Sequence, residues 1–202
     1  GSLWSQAAAD DLGRFAAAWG LPVAVPFRRQ GHLDNAHPNY VGDLGVGMNP
    51  ALGEALARAD CILSLGARLG DTLTRGFELM DPVRPHARVI HVHPSPDELG
   101  HLWRPDPGLV ADPREVVAAL AGLAPARRWD DWTRGLRAAL EDWQRPRPTP
   151  GALRMENVVR WLSDNLPPEA IVTNGAGNYA AFIHRYYRYR RFTSQLAPTS
   201  GS

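Results

Sequence analysis

The eleven residues Cys61-Ile-Leu-Ser-Leu-Gly-Ala-Arg-Leu-Gly-Asp71 constrain the fold more than any other stretch of the chain. Cys61 to Leu65 are apolar apart from Ser64, with Asp60 before them and Gly66 after. A short, nearly continuous apolar run fits a strand buried on both faces, as in a parallel sheet. Cys61, inside that strand, is expected to be an inert packing residue. Gly66 and Gly70 let the backbone turn sharply and come close to a bound group, with Arg68 between them. Open α/β sheets bind ligands at the carboxyl ends of their strands, where this turn is expected to lie. The competing reading is an ordinary strand-to-helix turn whose Arg68 faces water.

Around this strand the pattern alternates. Ala8, Leu12, Phe15 and Trp19 recur at helical spacing, and Gly20 ends that helix. Leu21 to Phe27 reads as a strand, followed by an irregular segment from Arg28 to Met48. Asn49-Pro50 is an N-cap with proline at the first helical position, opening a helix to about Ala59. Arg88-Val-Ile-His-Val-His93 is a β-branched strand, and Ser95-Pro-Asp-Glu98 has capping-box spacing. Leu109 to Ala111 is a short strand, and Asp112-Pro-Arg-Glu115 starts a helix carrying Val116, Leu120 and Leu123. Strand and helix in alternation predict an α/β fold with a doubly wound parallel sheet. The chain opens on a helix, so the sheet is expected to lack its first strand.

Trp129, Trp132, Leu136, Leu140 and Trp143 share one helical face, which points to docking or core packing rather than a cofactor site. Arg145-Pro-Arg-Pro-Thr-Pro-Gly151 cannot form regular helix or central strand, so it marks a linker. After it, Met155, Val159, Leu162 and Leu166 predict a helix and Ala170 to Thr173 a strand. Asn174-Gly-Ala-Gly-Asn178 is a second glycine turn at a strand end. This last part is too short to bury a core of its own and reads as the opening βα unit of a domain that is cut off.

The totals narrow the function classes. A formal net charge of +1 over 202 residues points to no polyanionic partner. Four arginines and three tyrosines in His184–Arg191 superficially suggest nucleic acid, but the balanced charge favours an interface or a solvated segment. One cysteine excludes an intrachain disulfide framework and suits a reducing, cytoplasmic compartment. No apolar run approaches the roughly 20 residues that span a membrane. His91 and His93 lie on one side of a strand without a third ligand at a telling spacing, so no metal site is predicted. Gly42-Asp-Leu-Gly-Val-Gly47 has the glycine density of a nucleotide loop but not the dinucleotide order, and a structural loop is the equal alternative. The chain starts at Gly1 rather than methionine, which fits an excised piece; Gly1-Ser2 fits a cloning scar or native sequence alike.

Five of these pieces, in this order, resemble thiamine-diphosphate-dependent enzymes of the acetolactate synthase type. Leu65-Gly-Ala-Arg68 is similar to the family's lGaRf turn, and Val89-Ile-His-Val-His-Pro-Ser-Pro-Asp-Glu-Leu-Gly100 to its iiHiDiDpaEiG segment. Ala111-Asp112 is similar to gDa, while Ala170-Ile-Val-Thr-Asn-Gly175 and Leu196-Ala-Pro-Thr-Ser-Gly201 resemble the entry to the cofactor domain. The resemblance implies a Rossmann-like central domain over residues 1–125 and a Trp-rich helix with Pro-rich linker over 126–152. Residues 153–202 would be a truncated start of the diphosphate-binding domain. It further implies thiamine diphosphate and Mg2+ in a longer parent enzyme that decarboxylates or ligates 2-keto acids as a homodimer or homotetramer. Asn174, Gly175, Gly177 and Asn178 would face the thiamine diphosphate cleft. Gly66, Arg68, His93 and Asp112 would form a nucleotide or vestigial flavin site.

In flavin-binding members two aspartates of the histidine segment hold the ribose and adenine side. Here His93 and Ser95 stand in their places, and an imidazole cannot accept from both ribose hydroxyls as a carboxylate can. FAD binding is therefore expected to be weak or absent. The family's catalytic glutamate and magnesium motif have no counterpart in the chain, so no catalytic residue is assigned and the piece alone is expected to be inactive. The alternative is a stand-alone adenine-nucleotide-binding module using Arg68, Asp112 and the Gly42–Gly47 loop.

Overall fold

A computed structural model describes residues 3–147 and 149–198. Helix α1 (Gln6–Trp19) starts where the Ser5 side chain accepts from the Ala8 N–H, and it stops at Gly20 in the left-handed region. Strand β1 (Val23–Pro26) follows, then a 3-10 turn (Gln30–His32) and strand β2 (Tyr40–Leu44). The segment from Arg28 to Met48 thus contains a strand where the sequence suggested only irregular chain. Tyr-Val-Gly-Asp-Leu mixes a glycine and an aspartate into the apolar run, which masks the strand pattern. Helix α2 (Pro50–Arg58) carries the expected Asn49 cap, and strand β3 (Cys61–Leu65) follows it directly.

Strand β4 (Arg88–His93) pairs with β3 in parallel, Cys61 opposite Arg88 through Leu65 opposite Val92. Ser95 caps no α-helix, because Pro96–Glu98 forms only a single 3-10 turn and its serine makes no capping bond. Strand β5 (Gly108–Val110) pairs with β4, and helix α3 (Pro113–Ala121) begins at Asp112. Helix α4 (Asp130–Trp143) buries Leu136 and Leu140 of the apolar stripe in the core, while Trp132 is exposed and Trp143 half-buried. Trp129 stands just ahead of it, stacked on Trp19 with ring centroids 6.4 Å apart. Helix α5 (Met155–Asn165), strand β6 (Val172–Thr173), helix α6 (Ala180–Tyr186) and strand β7 (Gln195–Leu196) complete the order. Pro148 and the closing Thr199–Ser202 lie outside the described residues.

Every ladder is parallel, as the alternation predicts, but they form three separate sheets: β1-β2, β3-β4-β5 and β6-β7. The first two lie in one layer. Trp4, Leu12 and Phe15 of the α1 region and Val117 of α3 cover Val23, Leu63 and Leu65 on one face. Leu52 and Leu56 of α2 and Leu136 of α4 cover Ala24, Val41, Ile62 and Val89 on the other. Side chains alternate across a strand, so Leu63 and Leu65 meet one helix pair while Ile62 meets the other. Cys61 is exposed rather than buried, since the first residue of β3 projects beyond this cover.

The tail is tied to the first ladder by buried polar contacts. Asn35 donates to Gln30 O and Leu33 O and accepts from the Tyr189 N–H at 2.9 Å. Gln30 and Gln195 bond reciprocally. Truncating the α1 face tests whether this cover holds the sheets together. Leu12→Ala is expected to lower unfolding free energy by about 2–5 kcal/mol in urea titration, and a loss below about 1 kcal/mol would mean that Leu12 is not core.

Candidate functional site

The parallel strands deliver Gly66, Arg68, His93 and Asp112 to one end of the β3-β4-β5 sheet. Their side chains contact neighbouring residues there rather than one another. The turn after β3 is pinned because the Ser64 hydroxyl donates to Ala67 O at 2.9 Å and His91 Nε2 lies 2.8 Å from the same oxygen. Burial holds the His91 imidazole below its ordinary pKa, so the ring is neutral around physiological pH. Gly66 has φ 72° and donates to Val92 O; a Cβ there would stand 3.2 Å from Pro113 Cγ. Its glycine serves close packing of α3 against the turn.

Arg68 pairs with Glu98 at 2.9 Å while its side chain is 72% exposed, a geometry in which ion pairs contribute little to stability. Ser95 N–H donates to His93 Nδ1 at 3.1 Å, folding the ring back over its own turn. Asp112 accepts from the Arg114 N–H and from its guanidinium, whose hydrogen bond holds the carboxyl below its usual pKa. The amino end of α3 therefore faces its own aspartate, with Glu115 in the same turn. At the amino end of α3 a diphosphate would meet these carboxylates, while Arg68, held to Glu98 through Nε alone, is the exposed cation of the mouth. Among the described residues no group of three or more His, Cys, Asp or Glu side chains could hold a metal, His91 and His93 included.

An open cleft of about 450 Å³ lies elsewhere, between the Gly45–Met48 loop and the turn Asp71–Gly76. Gly45 (φ 143°) is needed because a Cβ there would strike Phe27 at 2.6 Å. Gly47 and Gly76 also have positive φ but face open space, so their backbone is free to meet a ligand. Arg75 is the cation of this cleft and Asp71 its acid. The sequence assigns no site role to Asp71, Thr72, Arg75 or Gly76; the polar run between Gly70 and Gly76 is the available signal.

The second glycine turn stands at the end of β6. Asn174 donates through Nδ2 to Gly175 O at 2.8 Å, while its Oδ1 is buried without a partner. A Cβ on Gly175 or on Gly177 would fall 2.5 Å from the Tyr179 side chain. The turn is thus wrapped around the half-exposed Tyr179 ring, which would have to swing aside for a side chain at either glycine. Asn178 donates none of the side-chain bonds here; its carbonyl accepts from the Ala181 N–H. The free acceptor of Asn174 fits a hydrogen-bond donor on a bound group at this strand end.

Two further titratable groups line a small cavity between β2 and α6, together with Tyr40, Asn49 and Arg185. Burial pushes the Asp43 carboxyl up to about 7, and burial with the Arg28 charge lowers His184 to about 4. In the sequence both fall within runs, Gly42–Gly47 and His184–Arg191, that assign neither residue a role of its own. The neighbouring Arg185 lies 3.7 Å over the Trp143 ring and donates to Trp143 O.

Residues 1–120 match the family described as "Thiamine pyrophosphate enzyme, central domain". The acetolactate synthase large subunit of Corynebacterium glutamicum is 27% identical over 191 residues, covering 90% of this chain and 30% of that protein. Acetolactate synthase isozyme 2 large subunit of Escherichia coli is 26% identical, covering 89% and 32%. Sulfoacetaldehyde acetyltransferase of Alcaligenes xylosoxydans is 26% identical, covering 96% and 37%. The chain spans about a third of the length of these curated relatives.

The raised Asp43 predicts a pH dependence with a definite sign. Its folded form holds the proton more tightly than the unfolded chain, so its contribution is complete below about pH 4. That contribution is lost as pH rises through about 7. His184 acts oppositely, its contribution being present above about 6.5 and lost as pH falls toward about 4. In melting curves between pH 4 and 8, Asp43→Asn is expected to remove the decline toward neutral pH. A variant that keeps the wild-type slope would show that Asp43 is not its source.

Proposed function

The chain belongs to the thiamine pyrophosphate enzymes, through their central domain, and from that premise we propose that the whole protein transforms 2-keto acids with thiamine diphosphate as its cofactor. The observation that carries the reading is the family match over residues 1–120, supported by acetolactate synthases matched along nine-tenths of the chain. The reaction class is loss of the carboxylate as CO2, with ligation or release of the resulting activated aldehyde. In this proposal residues 1–125 are the central domain, 126–152 the connecting helix and linker, and 153–202 the start of the diphosphate-binding domain. The whole protein is proposed to be a cytoplasmic homo-oligomer; among the described residues no helix is long and apolar enough to cross a membrane.

Thiamine diphosphate, when bound, supplies stabilisation of a carbanion next to the former carboxylate. This chain's share is binding and orientation. Asn174 Oδ1, buried and without a partner, would accept from a donor on the cofactor, and the Gly175–Asn178 turn would form one wall of the cleft. Tyr179, now filling the curve of that turn, would set how closely the wall approaches. Magnesium is proposed to be held outside these 202 residues.

Residues 1–125 act in this reading as a spacer that joins catalytic parts. A second reading, an adenine nucleotide held by the central domain, is favoured by one observation: the cleft with Gly47, Gly76 and Arg75 at its rim. Melting the chain with ADP, ATP or FAD separates the two. A ligand at a hundred times its dissociation constant stabilises by about 2.7 kcal/mol, and the spacer reading expects no shift with any of them.

The catalytic reading is tested on the whole protein. Turnover of a 2-keto acid should require added thiamine diphosphate and Mg2+, and the 202 residues alone should give none. Asn174→Ala should weaken thiamine diphosphate binding about tenfold, the effect of one hydrogen bond. Turnover without the cofactor, or an unaltered affinity in the variant, would contradict the respective assignment.

A further inference from the structure

Strand β2, the end of α4 and helix α6 line a cavity of about 10 Å³, the room of about one water-sized group. Its wall is rich in hydrogen-bond donors. Arg185 donates from Nε to Trp143 O and lies over the Trp143 ring, but its Nη2 is buried without a partner. His184 Nε2 is also buried without a partner. Burial and the Arg28 charge keep that imidazole neutral, and a neutral ring can carry its hydrogen on Nε2 and donate. Asn49 spends Oδ1 on the Ala51 N–H, which leaves its amide NH2 to offer the cavity. The same cap places the positive end of α2 at this wall.

Charge is unbalanced at this place. Arg147 also lies over the Trp143 ring, and the Arg28 charge reaches His184. Among the described residues none of Arg28, Arg147 and Arg185 forms an ion pair. The acids at the end of α4 are taken, Glu141 by Arg137 and Asp142 by Arg145. Among the described residues Asp43 is the one carboxyl in the cavity wall. Gln30 and the phenols of Tyr40 and Tyr189 stand beside it, and Arg137 donates to Tyr40 O from the α4 side. Burial keeps Asp43 neutral below about pH 7 and raises both phenols, so they stay neutral as well. At about pH 6 the wall therefore holds a guanidinium nitrogen without an acceptor and no formal negative charge to offset it.

We infer that this cavity binds one monatomic anion of chloride size, held by Arg185 Nη2, His184 Nε2 and the Asn49 amide, and that the anion fastens α6 to β2 and α4. The size of the cavity excludes phosphate, sulfate and organic carboxylates. The donors and the unpaired guanidinium set the sign of the charge: a water would accept from the same groups but leave that cation unneutralised. The anion binds beside neutral Asp43 and is repelled once the carboxyl ionises, so binding weakens as pH rises. This inference is independent of the catalytic reading.

The test melts the full chain at constant ionic strength while sodium chloride replaces sodium gluconate, whose anion is too large for the cavity. At about pH 6 chloride should stabilise saturably, raising the midpoint by about 3–5 °C at about ten times its dissociation constant. Its affinity should fall about tenfold by about pH 8, following the neutral share of Asp43. Arg185→Gln should abolish the chloride response, whereas Asp43→Asn should keep it and remove its dependence on pH. Crystals soaked in bromide should show the anomalous signal within hydrogen-bond distance of Arg185 Nη2 and His184 Nε2. That measurement decides the site even where Arg185→Gln does not fold. Equal melting in chloride and gluconate would overturn the inference and assign the cavity to water. So would a chloride response that persists in Arg185→Gln, a bromide signal confined to other places, or an affinity that does not change with pH.

Discussion

A parallel strand cannot be covered by its own hairpin partner, so both of its faces must be closed by helices. That constraint organises the molecule. The α1–α3 pair closes one face of the main layer and α2 with α4 closes the other, so strands without a shared ladder sit within common cores. Helix starts are set locally by Ser5, Asn49 and Asp112, each accepting a backbone N–H at the first turn. Directing those helices to opposite faces is what brings the ends of β3, β4 and β5 to a common mouth.

The long stretch between β1 and β2 has little apolar content, and polar contacts position it instead. Buried Asn35 donates to the carbonyls of Gln30 and Leu33 and accepts from the Tyr189 N–H, while Arg137 of α4 donates to the carbonyls of Asn35, His37 and Tyr40. One guanidinium therefore gathers three carbonyls that would otherwise be desolvated without partners. Through Tyr189 the same node holds the tail that leads into β7. The packing of the last segment on the first thus depends on groups more than a hundred residues apart in sequence.

Glycines and charges near strand ends looked alike in the sequence but perform different work. Gly66 admits Pro113, Gly45 admits Phe27, and Gly175 with Gly177 admit Tyr179, so these positions answer packing demands. Gly47 and Gly76 meet nothing, which leaves their backbone available in an open cleft. Arg68 and Asp112, both at the ends of this sheet, pair with Glu98 and Arg114. A sequence shows that a residue can reach a site; it does not show which neighbour has already claimed it.

The sequence by itself determined the alternation of strands and helices, the proline-started helix ends, the parallel sheet, and the order of motifs that places the chain in its family. These are legible because caps, periodicity and short motifs act over a few residues. Strand β2, the exposure of Cys61, the partners of Arg68 and the raised Asp43 depend on groups distant in the chain. Only the tertiary structure decided them, because burial and pairing are properties of the space around a residue rather than of its neighbours in sequence.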